Sequence, residues 1–257
     1  MPVGLERSDR VLRIVRDTVA SMLAPDRVAP VAPLWLGADA DLPRDLAPFL
    51  DHTILKPEAT AADVTAVADE GRALGVAAVC VHGMWAPLVR GRLAGSAVRT
   101  AVVVGFPHGA ASTGAKATEA YLCVEDGAEE LDMVMALGRA MAGEWDAVRH
   151  DIAAVTRAAA VPVKVIVESA VLTPFQLVAA CLVAVEAGAA FVKTSTGFHP
   201  LGGAREKEVR LMRRAVGDSI GVKASGGIRT AEDARRMLLA GANRIGTSSA
   251  AAIVAGG

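Results

Sequence analysis

From Phe49 onward the chain alternates between short apolar runs and longer stretches of helical period. The runs are LDHTI (50–54), AAVCVH (77–82), RTAVVVGF (99–106), ELDMVM (130–135), VKVIVES (163–169), FVKTST (191–196), GVKASGG (221–227) and RIGTSS (244–249). Each is nearly continuous in apolar character, as expected of parallel strands covered on both faces. Between them lie segments such as AADVTAVADEGRALG and LVAACLVAVEAGA, whose apolar positions recur at helical spacing. Gly75, Gly127, Gly188 and Gly241 stand where such helices end, just before the next run, and glycine is the residue that takes up a left-handed helix terminus. A spacing of roughly 25–30 residues is what a strand, a helix and two turns require.

Eight strand–helix units predict a (β/α)8 TIM barrel over residues 46–257. An open doubly wound sheet is the alternative, but its Gly-x-Gly-x-x-Gly turn after the first strand is absent, which argues against a dinucleotide cofactor. Residues 1–45 stand apart as an N-terminal helix and Pro-rich connector. Ser8 or Asp9 is a candidate cap for a helix carrying Val11, Leu12, Val15, Val19 and Met22, and Pro25, Pro30, Pro33 and Pro43 then break the chain.

The most informative polar positions are those inside strands. Residues i and i+2 of a strand share a face. Lys164, Lys193 and Lys223 therefore have the means to converge inside a closed barrel, with Asp132 beside Glu130 on its own strand face and Glu168 in register with Lys164. Burying an ammonium without a partner costs several kcal/mol, so three lysines in apolar strands point to paired or chemically active groups. A neighbouring cation and desolvation both lower an amine's pKa and leave it nucleophilic toward a carbonyl.

A second feature lies at the last two strand ends. SGGIRTAED places Gly226 and Gly227 there, with Thr230 as a cap for the next helix, and GTSSAAA places Gly246, Ser248 and Ser249 before another. Glycine permits close backbone approach, and helix N-termini offer free N–H groups to anions. In barrels of this kind a phosphate site is common after strands 7 and 8.

Composition narrows the class. Hydrophobic residues make up 53% of the 257 residues, enough for a large core, and the 27 basic against 28 acidic residues argue against nucleic acid as the partner. Three cysteines exclude a disulfide framework and suit a reducing compartment. The charged N-terminus lacks the apolar run of a signal peptide, and no stretch is long enough for a membrane span, so a cytoplasmic location is expected. His52, His82, His108, His150 and His199 lack zinc-ligand spacing, and no metal or cofactor is expected. His52 is expected to organise the Asp51 region, and Cys123 and Cys181 to be core residues.

In LDHTILKP, AAVCVH, VVVGFPHG, GAEELDMV, VKVIVES, FVKTSTGF, VKASGGIRT and IGTSS, taken in this order, the sequence resembles the deoxyribose-phosphate aldolases. The resemblance runs from about Leu50 to Ala251. It implies a class I aldolase that reversibly cleaves 2-deoxy-D-ribose 5-phosphate to D-glyceraldehyde 3-phosphate and acetaldehyde. It makes Lys193 the Schiff-base lysine, Lys223 the neighbouring cation, and Asp132 the carboxylate of a proton relay acting with a water. Gly226, Gly227, Gly246, Ser248 and the adjacent Ser249 would hold phosphate. Thr196, Gly197, Asp51 and Cys80 would line the sugar pocket. The partners implied are a sugar phosphate and an aldehyde, with self-association into a homodimer or larger homo-oligomer. The sequence departs from the family in Ala136 and Leu137, where many members carry an asparagine, and in closing on IVAGG, where some members have a tyrosine that reaches the site. Another Schiff-base lyase and a silent phosphosugar-binding protein are the competing readings.

Overall fold

The computed structural model describes residue 42 and residues 44–257 except 219. The predicted N-terminal helix, and its connector apart from residues 42, 44 and 45, lie outside the described residues. The eight strands are β1 (Leu50–Thr53), β2 (Ala78–Val81), β3 (Arg99–Val104), β4 (Glu130–Val134), β5 (Val163–Ile166), β6 (Phe191–Lys193), β7 (Gly221–Ser225) and β8 (Arg244–Thr247). All pair in parallel, in sequence order, and β8 closes on β1 to complete the barrel. Every predicted strand is present, and the chain turns away one to three residues before the apolar run ends.

Nine α-helices follow: α1 (Ala61–Leu74), α2 (Ala86–Leu93), α3 (Thr113–Glu125), α4 (Leu137–Met141), α5 (Trp145–Ala159), α6 (Pro174–Glu186), α7 (Glu206–Val216), α8 (Ala231–Leu239) and α9 (Ala250–Ala255), counted among the described residues. Local chemistry sets several starts. Thr60, Thr173 and Thr230 each form a reciprocal capping box, Thr230 with Asp233, which satisfies helix N–H groups that have no partner within the helix. Gly75, at φ 67°, ends α1 in the left-handed conformation.

Alternation along the strands divides two cores. Outward residues such as Val79, Val102, Leu131, Met133, Val165, Val192, Val222 and Ile245 pack with the helices. Facing inward on the β2–β3 side are small apolar residues, Ala78, Cys80, Ala101 and Val103, with Leu55 above them. The interior from β4 round to β1 carries the charged residues, with Val134, Ile166 and Phe191 on the same strand faces. Cys123 and Cys181 lie buried on helices, as expected.

Candidate active site

Strand register brings the interior charges to one level. Asp132 stands opposite Lys164 across β4–β5, and Lys193 opposite Lys223 across β6–β7. All four side chains are buried. The Asp132 carboxylate is the hub: Oδ2 accepts from Lys193 Nζ at 2.6 Å and from Lys223 Nζ at 2.7 Å, and Oδ1 accepts from Lys164 Nζ at 2.9 Å. Below it lies a second set of pairs. Lys164 reaches Glu130 at 2.6 Å, Lys223 donates to Asp51, and Arg244 spans Asp51 at 2.7 Å and Glu130 at 3.2 Å.

Burial opposes ionisation of Asp132, but Lys164, Lys193 and Lys223 outweigh it and hold the carboxyl well below its usual range. Burial likewise opposes the charge on Lys223, yet Asp132 and Asp51 hold its ammonium above the ordinary lysine value. Lys193 goes the other way. Burial is the largest influence and lowers its pKa; Asp132 resists, and Lys223 adds to the lowering. Three carboxylates, Asp51, Glu130 and Asp132, face Lys164, Lys193, Lys223 and Arg244, with the half-exposed Arg99 also on Glu130 at 2.8 Å. Cations outnumber carboxylates, which favours one neutral amine, and Lys193 is the amine whose charge is disfavoured.

Above the cluster opens a cavity of about 700 Å³. Lys193 lines it; Asp132, Lys164 and Lys223 do not. Thr196, Gly197, Gly226, Gly227, Gly246 and Ser248 also line it. Of the remaining expected residues, Asp51 is buried under the lysines, holding Lys223 and Arg244, and lies outside the cavity lining. Cys80 sits inside the barrel with its thiol pushed up to about 11, first by burial and then by Asp132. Ser249 is also outside the lining, and its N–H donates to Thr247 Oγ1 at 2.9 Å.

The glycines serve different ends. A Cβ on Gly226 would come within 2.8 Å of Gly203 Cα, and one on Gly203 within 2.1 Å of the Gly226 carbonyl, so this pair lets two backbones cross. A Cβ on Gly246 would press on Ser225 at 2.8 Å and the Lys223 stem at 3.1 Å, so its smallness makes room for the cluster itself.

Two expectations are corrected. β5 ends at Ile166 and Glu168 takes a left-handed φ of 51°, so strand alternation does not extend to it. Its carboxylate meets Thr196, not a lysine. His52 points away from Asp51, and its Nε2 lies 2.6 Å from Glu70 on α1.

Sequence reasoning assigned no place to Arg244, Lys56 or Arg229. Arg244 stands two residues before Gly246 and Glu130 two before Asp132, so the i, i+2 rule applied to strand starts finds the lower charged layer. Lys56 and Arg229 line the cavity; Arg229 lies two residues after Gly227, but loop geometry, not periodicity, aims it. Among the described residues no group of three or more His, Cys, Asp or Glu is placed to hold a metal, and no helix is long and apolar enough to cross a membrane.

The profile of the DeoC/LacD family aldolases matches residues 46–255. The chain is 55% identical over 216 residues to the deoxyribose-phosphate aldolase of Mycolicibacterium paratuberculosis, covering 82% of this chain and 96% of that one. It is 49% identical over 213 residues to that of Deinococcus radiodurans, with the same coverage of 82% and 96%. A tetrameric deoxyribose phosphate aldolase structure from Aeropyrum pernix superposes with a TM-score of 0.78 at 31% identity, covering 95% of each chain. With the profile spanning the whole barrel and relatives this similar along nearly their full length, the chain belongs to the DeoC/LacD aldolase family.

Proposed function

We infer that the protein cleaves 2-deoxy-D-ribose 5-phosphate reversibly to D-glyceraldehyde 3-phosphate and acetaldehyde through a Schiff base on Lys193. The observation that carries this reading is the placement of Lys193. It is the member of the buried charge cluster that lines the cavity, and it is the one whose ammonium form is disfavoured.

The neutral Lys193 amine adds to the C1 aldehyde carbon of the open-chain sugar and gives a carbinolamine. Loss of water, with a proton delivered to the departing hydroxyl, yields the protonated imine. Removal of the C3 hydroxyl proton then lets the C2–C3 bond break. Its electron pair moves into the imine and forms an enamine, and glyceraldehyde 3-phosphate leaves. Protonation at C2 and hydrolysis release acetaldehyde and restore the amine. Asp132, 2.6 Å from Lys193 Nζ, is the group we assign to these proton movements, through a water. Lys223 keeps a cation beside Lys193 and disfavours its charged form. The imine supplies the electron sink, so the reading requires no metal or cofactor.

We assign the phosphate end to Gly226, Gly227, Gly246 and Ser248. Arg229 and Lys56 add positive charge to the same cavity. Residues 46–257 act in this reading as one catalytic unit, with 1–45 an appendage. Three free buried thiols suit the reducing cytoplasm, where we place the protein. The tetramer of the Aeropyrum pernix relative supports self-association.

The test is acetaldehyde release from 2-deoxyribose 5-phosphate, run beside ribose 5-phosphate. Release from the deoxy sugar is the expected result. Its absence with both sugars overturns the reading.

A further inference from the structure

We propose that Glu168, at the end of β5, is a positioning residue that holds the Thr196–Phe198 wall of the cavity against the glycine turn after β7 and so sets substrate affinity. The inference rests on the aldolase reading above and goes beyond its lysines and phosphate glycines.

Glu168 is costly where it stands. Its backbone is left-handed, a conformation that side chains with a Cβ rarely adopt. Its side chain is buried, and among the described residues Oε1 has no hydrogen-bond partner. Such features persist where the surroundings fix them, and they gather at functional sites. Here the surroundings do so: Ser169 N–H donates to the Thr194 carbonyl at 2.8 Å, and Ser169 Oγ donates to Glu208 at 3.0 Å.

Among the described residues, the Glu168 side chain spends its hydrogen bonding on one residue. Its Oε2 accepts from Thr196 N–H at 3.2 Å and from Thr196 Oγ1 at 2.6 Å. Thr196 Oγ1 in turn accepts from Phe198 N–H at 3.1 Å, and the Phe198 ring packs edge-on against Phe106 at 5.3 Å. With its proton committed to Glu168, the Thr196 hydroxyl offers the cavity an acceptor, suited to a donor hydroxyl of a sugar. From the other side the same segment is tied to β7, where Ser225 Oγ donates to the Ser195 carbonyl at 2.8 Å. Gly197 backs onto Gly226, a Cβ on Gly197 reaching 3.9 Å from Gly226 Cα. Glu168 is thus the β5-side anchor of a clamp whose β7 side carries the glycine turn. Lys193 and Asp132 are held by the strand ladder instead, so the anchor bears on binding and leaves the amine chemistry in place.

The experiment compares wild type, Glu168→Ala and Glu168→Gln in cleavage of 2-deoxyribose 5-phosphate. Borohydride trapping with acetaldehyde, a substrate too short to reach the clamp, runs in parallel. Glu168→Ala is expected to raise KM about tenfold or more, the effect of losing one to two hydrogen bonds, with kcat within about threefold and trapping unchanged. Glu168→Gln retains an acceptor oxygen and is expected to restore KM. An unchanged KM in Glu168→Ala overturns the proposal. So does a fall in kcat at constant KM in Glu168→Gln, which would mean proton transfer by Glu168. A joint loss of trapping, kcat and thermal stability in both variants also overturns it, because the role would be structural only. Wild type that fails to cleave the sugar sinks the aldolase reading itself, a separate outcome from these.

Discussion

Two buried lysines in this molecule meet very different company. Lys116, on α3, lies outside the barrel between helices. Its ammonium donates to Asp151 at 2.8 Å and to the Val134 carbonyl at 2.9 Å, and Thr113 donates to the other Asp151 oxygen at 3.0 Å. That is one cation for one carboxylate. Lys193, inside the barrel, shares Asp132 with Lys164 and Lys223. Burial is common to both, so burial alone does not make a lysine reactive. What distinguishes Lys193 is a carboxylate already committed to two other cations, together with a cavity at its tip. A private carboxylate anchors an ammonium; a shared one leaves it partly uncompensated, and the proton is more easily lost.

The largest expected effect follows from removing the crowded lysine. Lys193→Ala should bring deoxyribose 5-phosphate cleavage down to background while circular dichroism and melting show a folded barrel, because Asp132 keeps Lys164 and Lys223 as partners and no carboxylate is left unpaired. Cleavage that persists near wild-type rate would break the contrast at its centre. Next in size is Asp132→Asn, which keeps shape but removes basicity. Turnover should fall about a hundredfold or more, in the range of lost general acid–base catalysis, with a smaller change in KM. Steady-state kinetics decide it, and near-normal kcat would take Asp132 out of the relay.

On the other side of the comparison, Lys116→Met leaves Asp151 buried with Thr113 as its remaining partner. Denaturant unfolding should report a loss of about 3–5 kcal/mol, as for other broken buried pairs, and the folded fraction should still trap acetaldehyde. If trapping vanished with the fold intact, Lys116 would belong to the chemistry and the two lysines would not be opposites. The subtlest change is in pH dependence. The protonated Lys193 is inactive, so activity rises as pH climbs through its lowered pKa. Lys223→Leu removes a like charge and frees Asp132 to pair more closely with Lys193. Both changes raise that pKa, and the acidic limb of kcat/KM should move to higher pH. Since burial is the larger influence on Lys193, the pKa should remain below the ordinary lysine value in the variant. A limb that stays still would assign the whole effect to burial.

The barrel was legible because strand period and helix period alternate eight times, and because alternation within each strand told the inward charges from the outward apolar residues. The Lys193, Lys223 and Asp132 group was legible on the same ground. What escaped is set by backbone geometry at strand ends. Glu168 looked like another inward charge until its left-handed turn carried it to Thr196. His52 alternates outward from Asp51 and finds Glu70 on α1, a partner that helix packing supplies. Gly246 lines the cavity as expected of a phosphate glycine, and a second demand on it was not legible: the Lys223 stem and Ser225 fill the space its Cβ would need. That close approach between strands leaves no trace in a single chain's pattern.

The central claim is that Lys193, the amine that shares its carboxylate and also opens on the cavity, is the nucleophile, and the other lysines are not. The most direct measurement treats wild-type protein with acetaldehyde and borohydride near neutral pH, digests it, and maps the added ethyl group by peptide mass. The account predicts the label on Lys193 alone, with Lys164, Lys223 and Lys116 unmodified. A label on Lys223 would reverse the two roles, and a label on Lys116 would contradict the account outright.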